Sequence, residues 1–148
     1  MIEFNIFQEW RPISARLKSQ FEQAINLPDE EVREACVVAT QDAITAIAYR
    51  SFSIHLSNTF SNALTVFSPE EAVVYYLSEK TGFTLKDVSE SSERSRHLLL
   101  KDELLVEAIK ILKASSELLI HDVGNRFYRD TVSQILESDS SRADYQGW

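Results

Sequence analysis

An arginine and a histidine lie five positions apart in the segment RSFSIH, at Arg50 and His55. Together they have the side-chain chemistry that RNA cleavage requires. Histidine can activate a ribose 2′-hydroxyl, and arginine can stabilise the charged phosphate in the transition state. On one straight helix the two side chains project about 140° apart, so a shared site needs a bend or a second subunit. The preferred interpretation is a half-buried histidine and an arginine whose head group reaches water.

The R-x4-H spacing of Arg50 and His55 resembles the motif of HEPN-type ribonucleases. These are small all-α proteins that bring the arginine and the histidine together near a dimer interface. The resemblance implies that His55 would help to activate the hydroxyl and that Arg50 would stabilise the phosphate. A ribonuclease of this kind is the second of two alternatives for the function.

Residues 73–101, which begin with VVYYLSEKTGFTLKDV, form another candidate region. A helix, a turn at Gly82 and apolar positions at Leu85 and Val88 resemble a helix-turn-helix, in which two helices cross closely at the turn. The preceding SPEEAVV is similar to the DNA-reading region of sigma factors and response regulators. Residues 84–93, however, carry more acidic than basic side chains, which disfavours contact with phosphates. A generic helical hairpin is preferred, and a DNA-binding regulator is the first alternative.

Aromatic and arginine side chains are the best candidates for contact with another protein, because these residue types are enriched at interfaces. Tyr75 and Tyr76 are adjacent, so on a helix they project about 100° apart and cannot both be fully buried. A small basic group follows at Arg94, Arg96, His97 and Lys101. The predicted binding residues are Tyr75, Tyr76, Arg94, Arg96, Phe127 and Tyr128.

No residue pattern predicts a metal or cofactor site. Glu117 and His121 are four positions apart and would share a helix face, but a single pair is more typical of a surface contact than of a ligand set. The three glycines are scattered, so there is no glycine-rich phosphate loop. Cys36, the only cysteine, lies in the apolar run ACVVA, which indicates a buried and unreactive thiol. We therefore expect no metal and no cofactor.

Glycine and proline are scarce, at three each among 148 residues, whereas a sheet-rich fold of this length needs many turns. They interrupt periodic apolar patterns, which predicts long helices joined by short loops. We predict a single all-α domain over residues 1–148, a bundle of five or six helices. Residues 1–11 and 138–148 are expected to be peripheral tails. The segments 29–66 and 98–122 are expected to lie at the centre.

Two helix starts are predicted from local signals. Pro12 precedes an apolar stripe with a spacing of four residues, so the first helix is expected to follow it. In SPEEAVVYYLSEKTG, Ser68 is expected to cap a helix that Gly82 ends.

Residues 50–67 fit two structures. Phe52, Ile54 and Leu56 alternate with polar residues, as in a half-buried strand. Yet apolar side chains from position 49 to 67 recur every three or four residues, which is the spacing of a helix face. We predict a helix. The alternative is an α+β fold in which residues 2–7 and 50–67 form a small antiparallel sheet.

Charge and composition bound the function. The 23 acidic and 15 basic residues give a net charge of -8, which repels nucleic acid and anionic membranes and favours a basic partner. The N-terminal MIEFNIFQEW has no basic start and no long apolar run, so we expect no signal peptide, no membrane span and a cytoplasmic location. We predict a non-catalytic interaction or regulatory protein, such as an adaptor or immunity-type inhibitor. A homodimer also remains open.

Overall fold

The computed structural model of the chain describes residues 1–123 and 125–146, with side chains for all of these except 116–117, 119–123 and 140–146. Within this part of the chain the fold is all-α, as predicted, with seven helices and no strand, so the α+β alternative is wrong. The helices are α1 (Ile6–Ala24), α2 (Asp29–Phe60), α3 (Pro69–Thr81), α4 (Leu85–Ser89), α5 (Glu93–Leu99), α6 (Lys101–Val123) and α7 (Arg126–Gln146). Five or six were predicted. The additional helix arises because the backbone leaves the helical conformation at Leu100 and so separates α5 from α6.

Helix α1 begins earlier than predicted. The side-chain oxygen of Asn5 accepts hydrogen bonds from two backbone N–H groups, at 3.1 and 3.2 Å, and so caps the helix well before Pro12. Pro12 therefore lies inside α1, where it lacks the N–H that would bond the preceding turn. Trp10 is only 2% exposed. Residues 6–11 are thus part of the helical bundle and not a peripheral tail.

Helix α2 lies at the centre of the bundle, as predicted. It has 32 residues, is about 48 Å long and contacts α1, α3, α6 and α7. Its buried residues are Cys36, Ala39, Thr40, Ala43, Ile44, Ile47, Ala48, Ser51, Ser53, Ile54, Leu56 and Ser57. A helix that is covered on several sides needs no single apolar stripe, which explains its mixture of alanine, serine and branched side chains.

Residues 50–60 belong to α2, so the helical interpretation is right for them and the strand interpretation is wrong. The misleading alternation arises because small serines are buried together with the apolar residues. The hydroxyl of Ser51, for example, donates to a carboxylate oxygen of Glu107 in α6 at 2.7 Å, which satisfies it inside the bundle. The helix ends at Phe60, and residues 61–68 form a loop where we expected the helix to continue to residue 67.

Helix α3 has the predicted ends. The Ser68 hydroxyl accepts from the N–H of Glu71, and the Glu71 carboxylate accepts from the N–H of Ser68, each at 3.1 Å. This reciprocal capping box satisfies two backbone donors that would otherwise lack a partner. Gly82 ends the helix with a φ of +80°, in the left-handed region that favours glycine. The two short helices α4 and α5 follow.

Helices α6 and α7 complete the bundle against α2. Helix α6 is kinked at Ser115, whose φ of −140° and ψ of 16° are not helical. Helix α7 continues to Gln146, so residues 138–146 are helical where we expected a tail. An ion pair between Lys113 of α6 and Asp139 of α7 joins the two helices in this region.

Candidate functional site

The loop between α2 and α3, residues 61–68, is held in place by hydrogen bonds. The side-chain oxygen of Asn62 accepts from the backbone N–H groups two and three residues further on, at 2.8 and 2.7 Å. The N–H of Asn62 donates to the carbonyl of Thr65 at 2.8 Å. The hydroxyl of Ser57 in α2 donates to the carbonyl of Phe67 at 2.6 Å. These bonds define the conformation of the loop, as in other turns that asparagine stabilises.

Three aromatic rings meet where this loop returns to the bundle. The ring centroids of Phe60 and Phe67 are 6.1 Å apart, and the ring of Tyr75 lies 5.2 Å from the first and 5.4 Å from the second. These separations are favourable for aromatic pairs. Two of the three rings, Phe67 and Tyr75, line a groove of about 420 Å³. We call this groove, lined by Phe67, Val74, Tyr75 and Leu85, the aromatic groove.

A buried arginine holds the other wall of the aromatic groove. Arg96 is 7% exposed, and one guanidinium nitrogen donates to the carbonyls of Val88 and Ser89, at 3.2 and 2.9 Å. The guanidinium also forms an ion pair with Glu70 in the first turn of α3. Arginine suits this position because its donors fan out in a rigid plane and can bond several groups at once. Arg96 therefore fixes α4, and with it Leu85, opposite α3.

The loop that leads to Phe67 exposes two apolar side chains, and the aromatic groove itself exposes a third. Leu64 is 94% exposed and Val66 79% exposed on the loop, and Leu85 is 53% exposed on α4. A single exposed apolar side chain is ordinary, but a group of them next to a groove is typical of an interaction site. We call the aromatic groove together with Leu64 and Val66 the docking surface.

Charged groups also line the aromatic groove, at Glu70, Glu71 and Lys86. Hydrogen bonds from Ser68 lower the pKa of Glu71, so this carboxylate is ionised at neutral pH. Glu70 is already paired with the buried guanidinium. Glu71 and Lys86 are therefore the charges that the groove offers to a bound partner.

Of the six predicted binding residues, the structure brings Tyr75 and Arg96 together at the aromatic groove. Tyr76 projects instead toward α6, where its hydroxyl donates to Glu103 at 2.9 Å and its ring packs edge to face on Phe52. Burial raises the pKa of Tyr76, and the neighbouring Glu103 carboxylate raises it further. Tyr76 thus joins two helices of the bundle.

The other three predicted binding residues lie elsewhere. Arg94 lines a separate cleft with His97. Phe127 is half-buried, with the guanidinium of Arg126 4.9 Å from its ring centroid. Tyr128 is 0% exposed and its ring centroid lies 6.3 Å from that of Trp10, so it is a core residue and is not available to a partner.

The structure does not assemble Arg50 and His55 into a site within one chain. Both lie on the continuous helix α2 and project about 140° apart. The guanidinium Nε of Arg50 pairs with the Glu9 carboxylate of α1 at 3.2 Å, whereas His55 is exposed. Arg50 is partly exposed, as the preferred interpretation expects, but that interpretation is wrong for His55, which was expected to be half-buried.

The region that resembles a helix-turn-helix contains the predicted turn at Gly82 but only a short second helix. Helix α4 has five residues, which makes it about 7.5 Å long. Its exposed charges, Lys86 and Asp87, are of opposite sign. These features do not favour insertion into a DNA groove, which requires a longer helix with a basic surface.

Cys36 is 2% exposed, and burial raises the pKa of its thiol, as expected for an unreactive cysteine. In the described part of the chain, no three histidine, cysteine, aspartate or glutamate side chains are grouped as a metal site requires. The predicted surface pair Glu117 and His121 lies outside the described side chains. Over residues 1–123 and 125–146, no helix is both long and apolar enough to cross a membrane.

The prediction from sequence missed five residues of the docking surface, Leu64, Val66, Phe67, Val74 and Leu85. A signal for the loop residues exists in the sequence. Asn62 and Ser68 are a turn residue and a helix cap, and together they predict a loop between them in spite of the helical spacing of Leu64 and Phe67. Leu85 has no such signal, because its position depends on how Arg96 folds α4 back onto α3.

Comparison with known proteins assigns no relative to the chain. No protein-family model matches it, and no curated protein or solved structure is significantly similar to it.

Proposed function

We propose that the chain is a small cytoplasmic interaction protein that binds another protein through the docking surface and catalyses no reaction. The observation that carries this proposal is that the docking surface is apolar and exposed although its loop is already ordered. The loop is held by its own hydrogen bonds, yet Leu64, Val66 and Leu85 are each more than half exposed. An apolar surface that is already ordered loses little conformational entropy on binding, so more of the burial free energy contributes to affinity.

The partner that fits this surface is a protein segment with apolar anchor residues flanked by lysine or arginine. An aromatic or large aliphatic side chain suits the aromatic groove between Phe67 and Leu85, since interface anchors of this kind contribute most to affinity. The ionised Glu71 at the groove attracts a basic flank. The net charge of -8 increases the rate of encounter with a basic partner.

Selection from a library of short random peptides displayed on phage tests the proposal. The wild-type protein serves as the target, and the Leu85→Asp variant removes peptides that bind elsewhere. Leu85 is 53% exposed, so this substitution is expected to leave the fold intact. We expect enriched peptides that combine an apolar anchor with lysine or arginine. Enrichment of peptides that bind both proteins equally, or of acidic peptides, would contradict the proposal.

A second copy of the chain is the rival occupant of the docking surface. Light scattering on the purified protein distinguishes the two occupants. We expect a monomer whose mass is unchanged by Val66→Asp. A dimer that Val66→Asp dissociates, but that Ile25→Asp does not, would show that the docking surface joins two copies of this chain. Ile25 is a suitable control, because it is 74% exposed at the end of α1.

A further inference from the structure

A second cleft, of about 710 Å³, lies between α2, α5, α6 and α7. It shares no lining residue with the aromatic groove. Its volume is within the range of about 300–1,000 Å³ that small-molecule sites occupy. We call it the α5–α6 cleft.

The α5–α6 cleft has an apolar floor. Ile44 is 2% exposed, and Leu104 and Ala108 are each 5% exposed, so these side chains form a packed base. Val38 and Leu98 flank the opening and are 47% and 56% exposed. A floor and rim of this kind favour a ligand with an aliphatic or aromatic body, because binding removes apolar surface of both molecules from water.

Two cations lie at one side of the α5–α6 cleft, Arg94 on α5 and Lys101 at the start of α6. Both side chains are exposed. Among the described side chains, neither cation pairs with a carboxylate within 4.0 Å, whereas Lys80, Arg96 and Lys113 all do. The charges of Arg94 and Lys101 are available to an anionic ligand.

His97 adds a polar group to the same cleft. Its side chain is 16% exposed, and its ring packs on Tyr49 with the centroids 4.8 Å apart. The buried Nε2 atom makes no hydrogen bond to any described group, and Oε1 of Glu93 lies 3.6 Å away, beyond hydrogen-bond distance. Burial lowers the pKa of His97, so the imidazole is neutral at pH 7 and contributes no charge to the cleft.

We infer that the α5–α6 cleft binds an amphipathic organic anion, whose carboxylate or sulfate group lies between Arg94 and Lys101 and whose apolar body covers Ile44 and Leu104. Asp42 lines the α2 side of the cleft. Its carboxylate repels the anionic group and so directs it toward α5 and α6. This site is independent of the proposed protein partner, because it uses a different set of side chains.

Calorimetric titration with three ten-carbon probes tests the charge of the ligand. The probes are decanoate, the uncharged 1-decanol and the decyltrimethylammonium cation. We expect decanoate to bind most tightly, at least about tenfold more tightly than decanol, because an ionic hydrogen bond to the anion contributes this much. Absent decanoate binding, or decanol binding as tight as that of decanoate, would overturn the inference.

Substitutions then test the position of the anionic group. We expect Arg94→Gln and Lys101→Gln to weaken decanoate binding by about tenfold each. Lys110 is an exposed lysine of the same helix α6 and does not line the cleft. Lys110→Gln is therefore expected to have no effect on decanoate binding. Asp42→Asn is expected to strengthen decanoate binding, because it removes the repelling charge. Unchanged affinity in the Arg94 and Lys101 variants, or weaker binding after Asp42→Asn, would overturn the inference.

Discussion

Helix α5 carries two arginines, two positions apart, that serve two different surfaces. Arg96 is 7% exposed and bonds backbone carbonyls and Glu70 beside the aromatic groove. Arg94 is exposed, lines the α5–α6 cleft and pairs with no described carboxylate. The difference shows that residue type does not decide the role of an arginine. What decides it is whether the donors are satisfied within the chain, and only Arg94 has donors to offer a ligand.

The two surfaces differ in the same way as the two arginines. On the docking surface, the charge of Glu70 is used internally and the exposed groups are mostly apolar. In the α5–α6 cleft, the apolar groups form the floor and unpaired charges lie at the rim. The first arrangement suits an apolar anchor of a protein partner, and the second suits a small anion.

The largest expected effect on stability comes from removing the buried arginine. Arg96→Ala should destabilise the protein by about 2–3 kcal/mol, because the carbonyls of Val88 and Ser89 lose their donor in a buried position. Arg94→Ala should change the free energy of unfolding by less than about 0.5 kcal/mol. Urea denaturation of both variants measures the difference. Equal effects would contradict the separate roles of the two arginines.

A smaller effect is expected at the cap that joins the loop to α3. Ser68→Ala should cost about 1 kcal/mol, because the N–H of Glu71 loses its acceptor. The pKa of Glu71 should rise only part of the way toward its usual value, because the variant keeps the backbone N–H of residue 68, the main cause of the lowered pKa, and loses only the hydroxyl. Urea denaturation and a carbon-detected NMR titration of the glutamates measure the two changes. Ser133→Ala, at an exposed position of α7, is the control and should change neither quantity.

The smallest expected effect is a pH dependence that arises at His97. Its pKa is lowered in the folded state, chiefly by burial and also by the charge of Arg94, whereas the carboxylates of Glu93 and Asp42 oppose this shift. As the pH falls, the unfolded chain therefore binds a proton at His97 before the folded chain does. The contribution of the neutral imidazole to the free energy of unfolding is complete above about pH 6.5 and is lost as the pH falls below that value.

The comparison of wild type with His97→Gln isolates this contribution. The difference in urea midpoint between the two proteins should change as the pH is lowered from about 7.5 to about 5, with the wild type losing more stability. Midpoints that shift in parallel over this range would show that His97 is not the titrating group.

Sequence reasoning predicted those parts of the fold that local signals specify. Ser68 and Gly82 lie directly at the two ends of α3 and determine them. The absence of glycine and proline from residues 29–68 predicted the continuous helix α2. The predicted start of α1 was wrong. Asn5 caps the helix with two hydrogen bonds, and Pro12, seven residues later, lies inside the helix and does not begin it. The apolar stripe of α1 extends back from Ile13 through Trp10 to Ile6, directly after Asn5, so a signal for the earlier start is present in the sequence.

The candidate site was less predictable, because it depends on contacts between distant parts of the chain. The adjacency of Tyr75 and Tyr76 predicted that the two could not both be fully buried, but it did not show that Tyr75 would be the exposed one. The burial of Tyr128 depends on which face of α7 packs against α1 and α2, and no local pattern shows this. The aromatic groove depends on hydrogen bonds from Arg96 to Val88 and Ser89 of α4, which lie eight and seven residues earlier in the chain.

The dissociation constant of one selected peptide, measured across surface variants, tests the central claim most directly. Leu85→Asp and Tyr75→Ala at the docking surface should each weaken binding by at least about tenfold, as expected for interface anchors. Phe7 is 62% exposed on α1, and Ile25 is 74% exposed at the end of α1. Phe7→Ala and Ile25→Asp should therefore change the dissociation constant by less than about twofold. A peptide whose affinity falls equally in all four variants, or only in the α1 variants, would contradict the assignment of the docking surface.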